Sequence, residues 1–325
     1  MNKEYVLITG ATGFIGSHVT EKLLSDESYR IVAIVRSKKN YKNVEELENK
    51  GAILAEGNFY DNNFLEKLFN KFPVQNVIHI AALRGGGAGT REDYYEVNVC
   101  GTEVLLEASF KNQVKKFIFC SSVGVFGTIP KQVPANLGTE LNGDNAYHSS
   151  KILAERKVRE FINKGLNAFI VRPTITYGSR DNGFSATLVK LARRRMLFLP
   201  FKDNKVHLLE VRKLAEIFME ILKTNNLQKR IFIAADEQPI ILRELIDLVY
   251  SYYYGKKYPL ILRMPSIVFD AFLVLFRALK NSKWSVRVQL LSRDWYYDTA
   301  EMNSLIEFRS ANTKKEFLTY LETLR

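Results

Sequence analysis

Tyr5-Val6-Leu7-Ile8-Thr9-Gly10-Ala11-Thr12-Gly13-Phe14-Ile15-Gly16-Ser17-His18-Val19 decides the fold. An apolar run of one strand's length enters a turn with glycines at 10, 13 and 16, and Ile15, Val19 and Leu23 then recur every four residues. That recurrence is the apolar stripe of a helix packed on a sheet. Glycine is needed where backbone turns sharply and lets a pyrophosphate approach, its charge resting against the unpaired N–H groups that open the helix. The spacing Gly10-x-x-Gly13-x-x-Gly16 departs from the commoner Gly-x-Gly-x-x-Gly, and three glycines alone are a weak signal. Strand, turn and helix in that order make it a dinucleotide-binding loop, formed by Gly10, Thr12, Gly13, Phe14, Ile15 and Gly16.

Working outward, strand-like runs recur at Val6 to Ile8, Ile31 to Val35, Ala52 to Leu54, Val77 to Ile80, Phe117 to Cys120 and Ala168 to Val171, each followed by helical spacing. This alternation predicts an α/β protein: a Rossmann-type doubly wound parallel sheet over residues 1–172. After Arg172-Pro173 the rhythm is lost. Residues 173–325 are expected to form a smaller, mostly helical substrate lobe, with a segment near 206–235 returning to the first domain and an isolated strand candidate at Ile231 to Ala234.

The second strand ends in Val35-Arg36-Ser37-Lys38-Lys39. An acid there would bond the ribose 2′-hydroxyl of NAD, whereas cations and a hydroxyl suit a 2′-phosphate. Arg36 and Lys38 are therefore expected to favour NADP(H) over NAD(H); the plainer alternative is ordinary surface charge after a strand.

Composition bounds the rest. The 325 residues are 46% apolar and 25% charged, as in a folded globular protein with a sizeable core. Lys plus Arg exceed Asp plus Glu by 47 − 35 = 12, which favours anionic partners: phosphate-bearing small molecules, an acidic membrane surface or nucleic acid. A small-molecule substrate and no nucleic acid are expected, and contact of the basic lobe with a membrane surface stays open. Cys100 and Cys120 form no Cys-x-x-Cys pair, and the chain enters its first strand without room for a cleaved leader, so a reducing, cytoplasmic setting is expected. The longest weakly charged run, Met264 to Phe276, has 13 residues and contains Asp270, which is too short to span a bilayer and suits a core or interfacial helix. His18, His79, His148 and His207 lack metal-ligand spacing, so no metal is expected.

Further motifs follow in order: His79-Ile80-Ala81-Ala82, Val97-Asn98-Val99-Cys100-Gly101-Thr102, Ser121-Ser122-Val123-Gly124-Val125-Phe126-Gly127, Tyr147-His148-Ser149-Ser150-Lys151 and Val171-Arg172-Pro173-Thr174-Ile175-Thr176-Tyr177-Gly178. In this order they resemble the extended short-chain dehydrogenase/reductase family of the NAD-dependent epimerase/dehydratase type. That family includes nucleotide-sugar epimerases, dehydratases and reductases and the 3β-hydroxysteroid dehydrogenase and dihydroflavonol reductase branches. The Tyr-x-x-x-Lys pattern occurs three times, but only Tyr147 and Lys151 follow a strand-end serine, Ser122, and lead into a long helical segment. Four residues along a helix turn through about 400°, which leaves the phenol and ammonium roughly 40° apart on one face.

The resemblance implies that Tyr147 is the general acid and base, that Lys151 lowers its pKa and bonds the cofactor ribose, and that Ser122 bonds the substrate oxygen. A free phenol titrates near ~10, so a neighbouring cation is needed to reach the phenolate near neutral pH. It also implies a cofactor side formed by Asn58, Phe59, Ala81, Ala82, Asn98 and Pro173, and a homodimer. Asn98 has the alternative of bridging helix backbone, and His148, about 100° round the helix from Tyr147, suits a structural role. Arg84, in the glycine-rich loop Arg84 to Gly89, and Arg193, in the cluster Lys190, Arg193, Arg194 and Arg195, could meet a substrate phosphate; a flexible loop and a solvated charged face are the plainer readings.

Departures from the family narrow the chemistry. Val123 and Gly124 stand where 4,6-dehydratases carry carboxylates, which disfavours water elimination. Val206 stands where many nucleotide-sugar enzymes place a diphosphate-binding arginine. The stretches Ile261 to Leu279 and Trp295 to Thr299 look more like the steroid and flavonoid branches, as an apolar lid or as ordinary lobe packing. An NADP(H)-dependent reductase or epimerase of a nucleotide-activated sugar is the first expectation. A reductase or dehydrogenase of a hydrophobic ketone or alcohol comes second, and a non-catalytic scaffold third.

Overall fold

A computed structural model describes residues 3–37, 42–85, 89–300, 302 and 311–324. Strands β1 (Glu4–Thr9), β2 (Tyr29–Val35), β3 (Ile53–Glu56), β4 (Val74–His79), β5 (Lys116–Cys120) and β6 (Ala168–Pro173) form one parallel sheet in the order 6-5-4-1-2-3. The strand Ile231–Ala234 pairs in parallel with β6 and closes that edge. It lies within the segment near 206–235 expected to return to the first domain, and it is the seventh sheet strand, although its partner β6 lies too far along the chain for a local pattern to name it.

Side-chain alternation explains why these runs become strands buried on both faces. Val6 and Ile8 of β1, Ile118 and Cys120 of β5, and Phe169 and Val171 of β6 enter one core layer. Leu7, Phe117, Phe119 and Ile170 enter the opposite layer. Helix α1 (Phe14–Leu24) covers the first layer with Val19 and Leu23, beside Leu214 and Phe218 from a later helix, Val211–Lys223. Helices Asn62–Lys71 and Gly101–Lys111 cover the second layer, together with the long helix Ala146–Asn163, which carries Tyr147.

A third core holds the lobe. Val125 and Phe126 pack with Tyr177, Leu188, Leu245 and Trp295. Trp295 and Tyr297 are buried and touch Phe184 and Phe126, so the Trp295 to Thr299 segment is lobe packing and not a lid. The chain's progression reverses where β1 pairs with both β2 and β4. In such sheets the crevice at the carboxyl ends of strands around this reversal is where ligands bind.

Candidate active site

The glycine turn sits at that reversal. Gly10 has φ +75°, a conformation that side chains rarely adopt, and a Cβ there would lie 2.7 Å from the Ala81 nitrogen. A Cβ on Gly16 would lie 2.0 Å from the Gly10 carbonyl. These two glycines let α1 start directly beneath the turn and let the end of β4 come against it. Gly13 precedes α1 without any side-chain cap, and the first turn of the helix holds no acidic residue. Its opening N–H groups therefore point to the carboxyl edge of the sheet with nothing of the helix's own to satisfy them, which fits a pyrophosphate.

Around this cradle the other cofactor-side residues fall into place unevenly. Arg36 is exposed at the end of β2, and Asn43 Nδ2 donates to the Thr12 carbonyl at 3.1 Å, bringing the segment after β2 against the glycine turn. Lys38 lies outside the described residues, as do Gly86, Gly87 and Ala88 of the loop after β4. Asn58 and Phe59 follow β3; the Phe59 ring is buried 5.0 Å from the His79 ring. Ala81 and Ala82 continue β4, with Ala81 N donating to Thr9 Oγ1 at 3.1 Å, and Pro173 ends β6 opposite Ala234.

Asn98 is buried in a π-helical turn, Glu96–Cys100. Its Oδ1 accepts from Leu83 N at 2.7 Å, while Nδ2 donates to the Leu83 carbonyl at 2.8 Å and to Ser150 Oγ at 2.9 Å. The side chain is committed to backbone and to the long helix. These bonds hold the loop after β4 against the long helix.

Ser122, Tyr147 and Lys151 converge at the end of β5. Ser122 is extended backbone, and its Oγ accepts from Gly124 N at 3.0 Å, capping the short turn Val123–Phe126. Asn145 caps the long helix by accepting from His148 N at 2.9 Å, which places half-buried Tyr147 in the first turn and Lys151 one turn on. The buried Lys151 ammonium donates to the Cys120 carbonyl at 2.8 Å and lies 4.7 Å from the Phe119 ring centre. Burial lowers its pKa to about 8, against the smaller raising influence of Cys120 and Glu155.

Burial is the largest influence on the Tyr147 phenol and raises its pKa, while its hydrogen bond with Ser122 and the Arg84 guanidinium act in the opposite direction.

Contacts of Glu155, Tyr94 and Gly85, which sequence reading missed, hold this geometry together with His148, in the structural role expected of it. Glu155, one turn after Lys151, is buried and accepts from Arg172 Nε at 2.8 Å, from Arg172 Nη2 at 2.6 Å and from Ser121 Oγ at 2.6 Å. An acid four residues after the lysine in a mixed helix gives no local sign of this partnership. The Tyr94 hydroxyl donates to the Arg84 carbonyl at 2.9 Å, and its ring meets the Tyr147 ring edge-on. Gly85 lies against the Tyr147 ring, where a Cβ would sit 3.2 Å away. His148 is held by Asp144 at 2.5 Å, and its ring fills the space beside Ser122 that a side chain at 124 would take, since a Cβ on Gly124 would lie 2.4 Å from it.

The two arginines part company. Arg84 Nη1 donates to Asn182 Oδ1 at 2.9 Å, spanning from the end of β4 to the loop before the helix Phe184–Arg193. Arg193 stands at the far end of that helix, roughly 15 Å along it, with its guanidinium 4.5 Å from the Tyr253 ring centre and bonded to the Leu324 carbonyl. It is not brought to Ser122. The other Tyr-x-x-x-Lys copies are no helical pairs: Gly255, at φ +66°, ends the helix Leu242–Tyr254 before Lys256 and Lys257.

A parallel sheet that reverses at a glycine turn defines a Rossmann-type nucleotide-binding fold. The model of the NAD dependent epimerase/dehydratase family matches residues 6–234, and the chain belongs to that family. Curated relatives include UDP-glucose 4-epimerase of Erwinia amylovora, 35% identical over 186 residues, and of Homo sapiens, 32% identical over 195 residues. Each alignment covers 55% of this chain, and 55% and 56% of the respective relative, so the chain spans about half the length of the curated relatives it matches. Among solved structures, gox2253 has a TM-score of 0.81 at 23% identity, covering 99% of this chain and 98% of that one. UDP-glucose 4-epimerase from Thermotoga maritima, solved with UDP-glucose, has a TM-score of 0.77 at 21% identity with the same coverage. These likenesses show the fold.

Proposed function

We propose that the protein is a nucleotide-sugar epimerase that works with a nicotinamide dinucleotide, with Tyr147 as acid and base, Ser122 as its hydrogen-bonding partner at the substrate oxygen, and Lys151 at the cofactor ribose. The observation that carries this reading is the gathering of the three side chains at the end of β5. The uncapped start of α1 would hold the pyrophosphate, and the family match and the UDP-glucose 4-epimerase relatives support the class of cofactor and substrate. When bound, the oxidised nicotinamide supplies a hydride acceptor and a positive charge. The chain's own residues manage the proton. Burial favours the neutral Tyr147 phenol, and the Ser122 hydroxyl and Arg84 guanidinium favour its phenolate when a proton moves between Tyr147 Oη and the sugar oxygen. Val123 and Gly124 offer no carboxylate, and the His148 ring fills the space at 124, which supports epimerisation over dehydration.

The test is incubation of the purified protein with NAD⁺ or NADP⁺ and UDP-glucose or UDP-galactose, following inversion at C4. Interconversion is expected. Saturable cofactor binding without inversion of either sugar would overturn the epimerase reading.

The reading extends to NADP(H) over NAD(H), supported by exposed Arg36 at the end of β2. Arg36→Asp is expected to lower the ratio of NADP(H) to NAD(H) affinity by about tenfold or more, the worth of one charge-assisted bond, measured by titrating both cofactors. An unchanged ratio removes Arg36 from that role. One observation favours a second reading, reduction of an apolar carbonyl: Val206 is fully buried, and Arg193 is engaged with the Tyr253 ring and the Leu324 carbonyl. NADPH oxidation with an apolar ketone, and no sugar inversion, is the result that would select it.

A further inference from the structure

The helix Ser266–Ala278 breaks the pattern of the other helices. Its polar residues are Ser266, Asp270 and Arg277, so it is apolar nearly all round, as in a helix enclosed by a core or lying in lipid. Yet only Phe269 and Leu273 are buried, packed with Val288 of the following helix, Ser282–Ser292. Ile267 is 74% and Val274 67% exposed, and Phe272 and Leu275 face outward with them. The apolar surface continues on both sides of the helix. Leu260 and Ile261 precede it, Ile261 at 87% exposure, and Met196, Phe198 and Phe201 flank the strand Leu199–Pro200, which pairs with Arg263–Met264. The rings of Phe272, Phe276 and Trp284 stack in series. Single exposed apolar side chains are ordinary; a contiguous set marks a surface with a partner.

Charge identifies the partner. From Lys256 to Arg287 the chain carries seven cations and one acid, Asp270, which is itself paired with Arg293. From Lys190 to Lys202 it carries five cations and no acid. Lys256, Lys257, Arg277, Lys280 and Lys283 are exposed and make no ion pair among the described residues. A second copy docked on this face would set like charges together, which opposes association. An anionic bilayer suits both features: aliphatic and aromatic side chains enter the acyl boundary while lysines and arginines meet the headgroups. At 1.5 Å per residue the helix is ~20 Å long, short of a ~30 Å hydrocarbon core. Among the described residues no helix is long and apolar enough to cross a membrane.

We infer that the exposed face of the helix Ser266–Ala278, with its basic flanks, docks the protein on an anionic lipid surface, the helix lying in the headgroup plane. The experiment is co-sedimentation of the full chain with vesicles of phosphatidylcholine alone or with about 30% phosphatidylglycerol, at about 0.1 and 0.5 M salt. Binding is expected to the anionic vesicles at low salt, weakening at high salt, with little binding to the neutral ones. Of the two tryptophans, Trp295 is buried and Trp284 is 43% exposed, so a blue shift in emission on binding would report this face. Ile267→Glu with Val274→Glu, and separately Lys280→Glu with Lys283→Glu, are each expected to cut partitioning by about tenfold or more with an unchanged near-ultraviolet circular dichroism spectrum. Wild-type protein left in the supernatant, or equal binding by wild type and both variants, overturns the inference. So does a wild-type dimer that ignores vesicles and becomes monomeric in the Ile267→Glu, Val274→Glu variant, which would assign the face to a second copy.

Discussion

Tyr147→Phe is expected to lower turnover by about 10²–10⁴-fold while leaving dinucleotide affinity within a few-fold of wild type. The substitution removes only the hydroxyl. The ring keeps its edge contact with Tyr94 and its place over Gly85, and Asn145 still caps the helix. Lys151 keeps its bond to the Cys120 carbonyl, so the cofactor side is undisturbed. What disappears is the proton site and its hydrogen bond with Ser122. Steady-state kinetics beside cofactor titration separate the effects: wild-type turnover in the Phe variant removes Tyr147 from the proposed role, and lost cofactor binding would make its role structural.

The largest stability effect is expected at Glu155. Its carboxylate receives two bonds from Arg172 and one from Ser121, with the Glu155 and Arg172 side chains 2% and 1% exposed. The network ties the helix of Tyr147 and Lys151 to the ends of β5 and β6. Glu155→Ala leaves the guanidinium buried beside the Phe126 ring without its counter-charge. Losing one partner of a buried pair costs about 3–5 kcal/mol, which for a chain of this length lowers Tm by roughly 4–8 °C. Glu155→Leu combined with Arg172→Met is expected to recover most of that loss, because the buried charge goes with its partner. Thermal unfolding of the single and double variants checks both. A double variant no more stable than Glu155→Ala would show that the arginine's stranded charge is not the cause.

Much of the core was legible because its signals are local. The alternation Val6, Leu7, Ile8 places neighbouring side chains in opposite layers, and Gly10 to Gly16 announce a turn whose sterics are set within seven residues. Tyr147 and Lys151 could be paired from their spacing within one helix, while Gly255 shows why the same spacing at Tyr252 and Tyr253 means nothing. Other readings needed contacts that spacing does not encode. Arg193 lies in a basic run that suggests a phosphate site, but its helix points it at Tyr253 and Leu324. Asn98 belongs to a motif on the cofactor side, yet Leu83 and Ser150 occupy its side chain.

By itself the sequence determined the order of strands and helices, the glycine turn that starts α1, and the helical pairing of Tyr147 with Lys151, because periodicity and turn sterics act over a few residues. Only the tertiary structure decided that the Lys151 ammonium donates to the Cys120 carbonyl, that Glu155 locks Arg172, that Ile231–Ala234 closes the sheet, and that the helix Ser266–Ala278 stands uncovered. Burial, pairing and exposure depend on which distant elements come together, and no local pattern of residues carries that information.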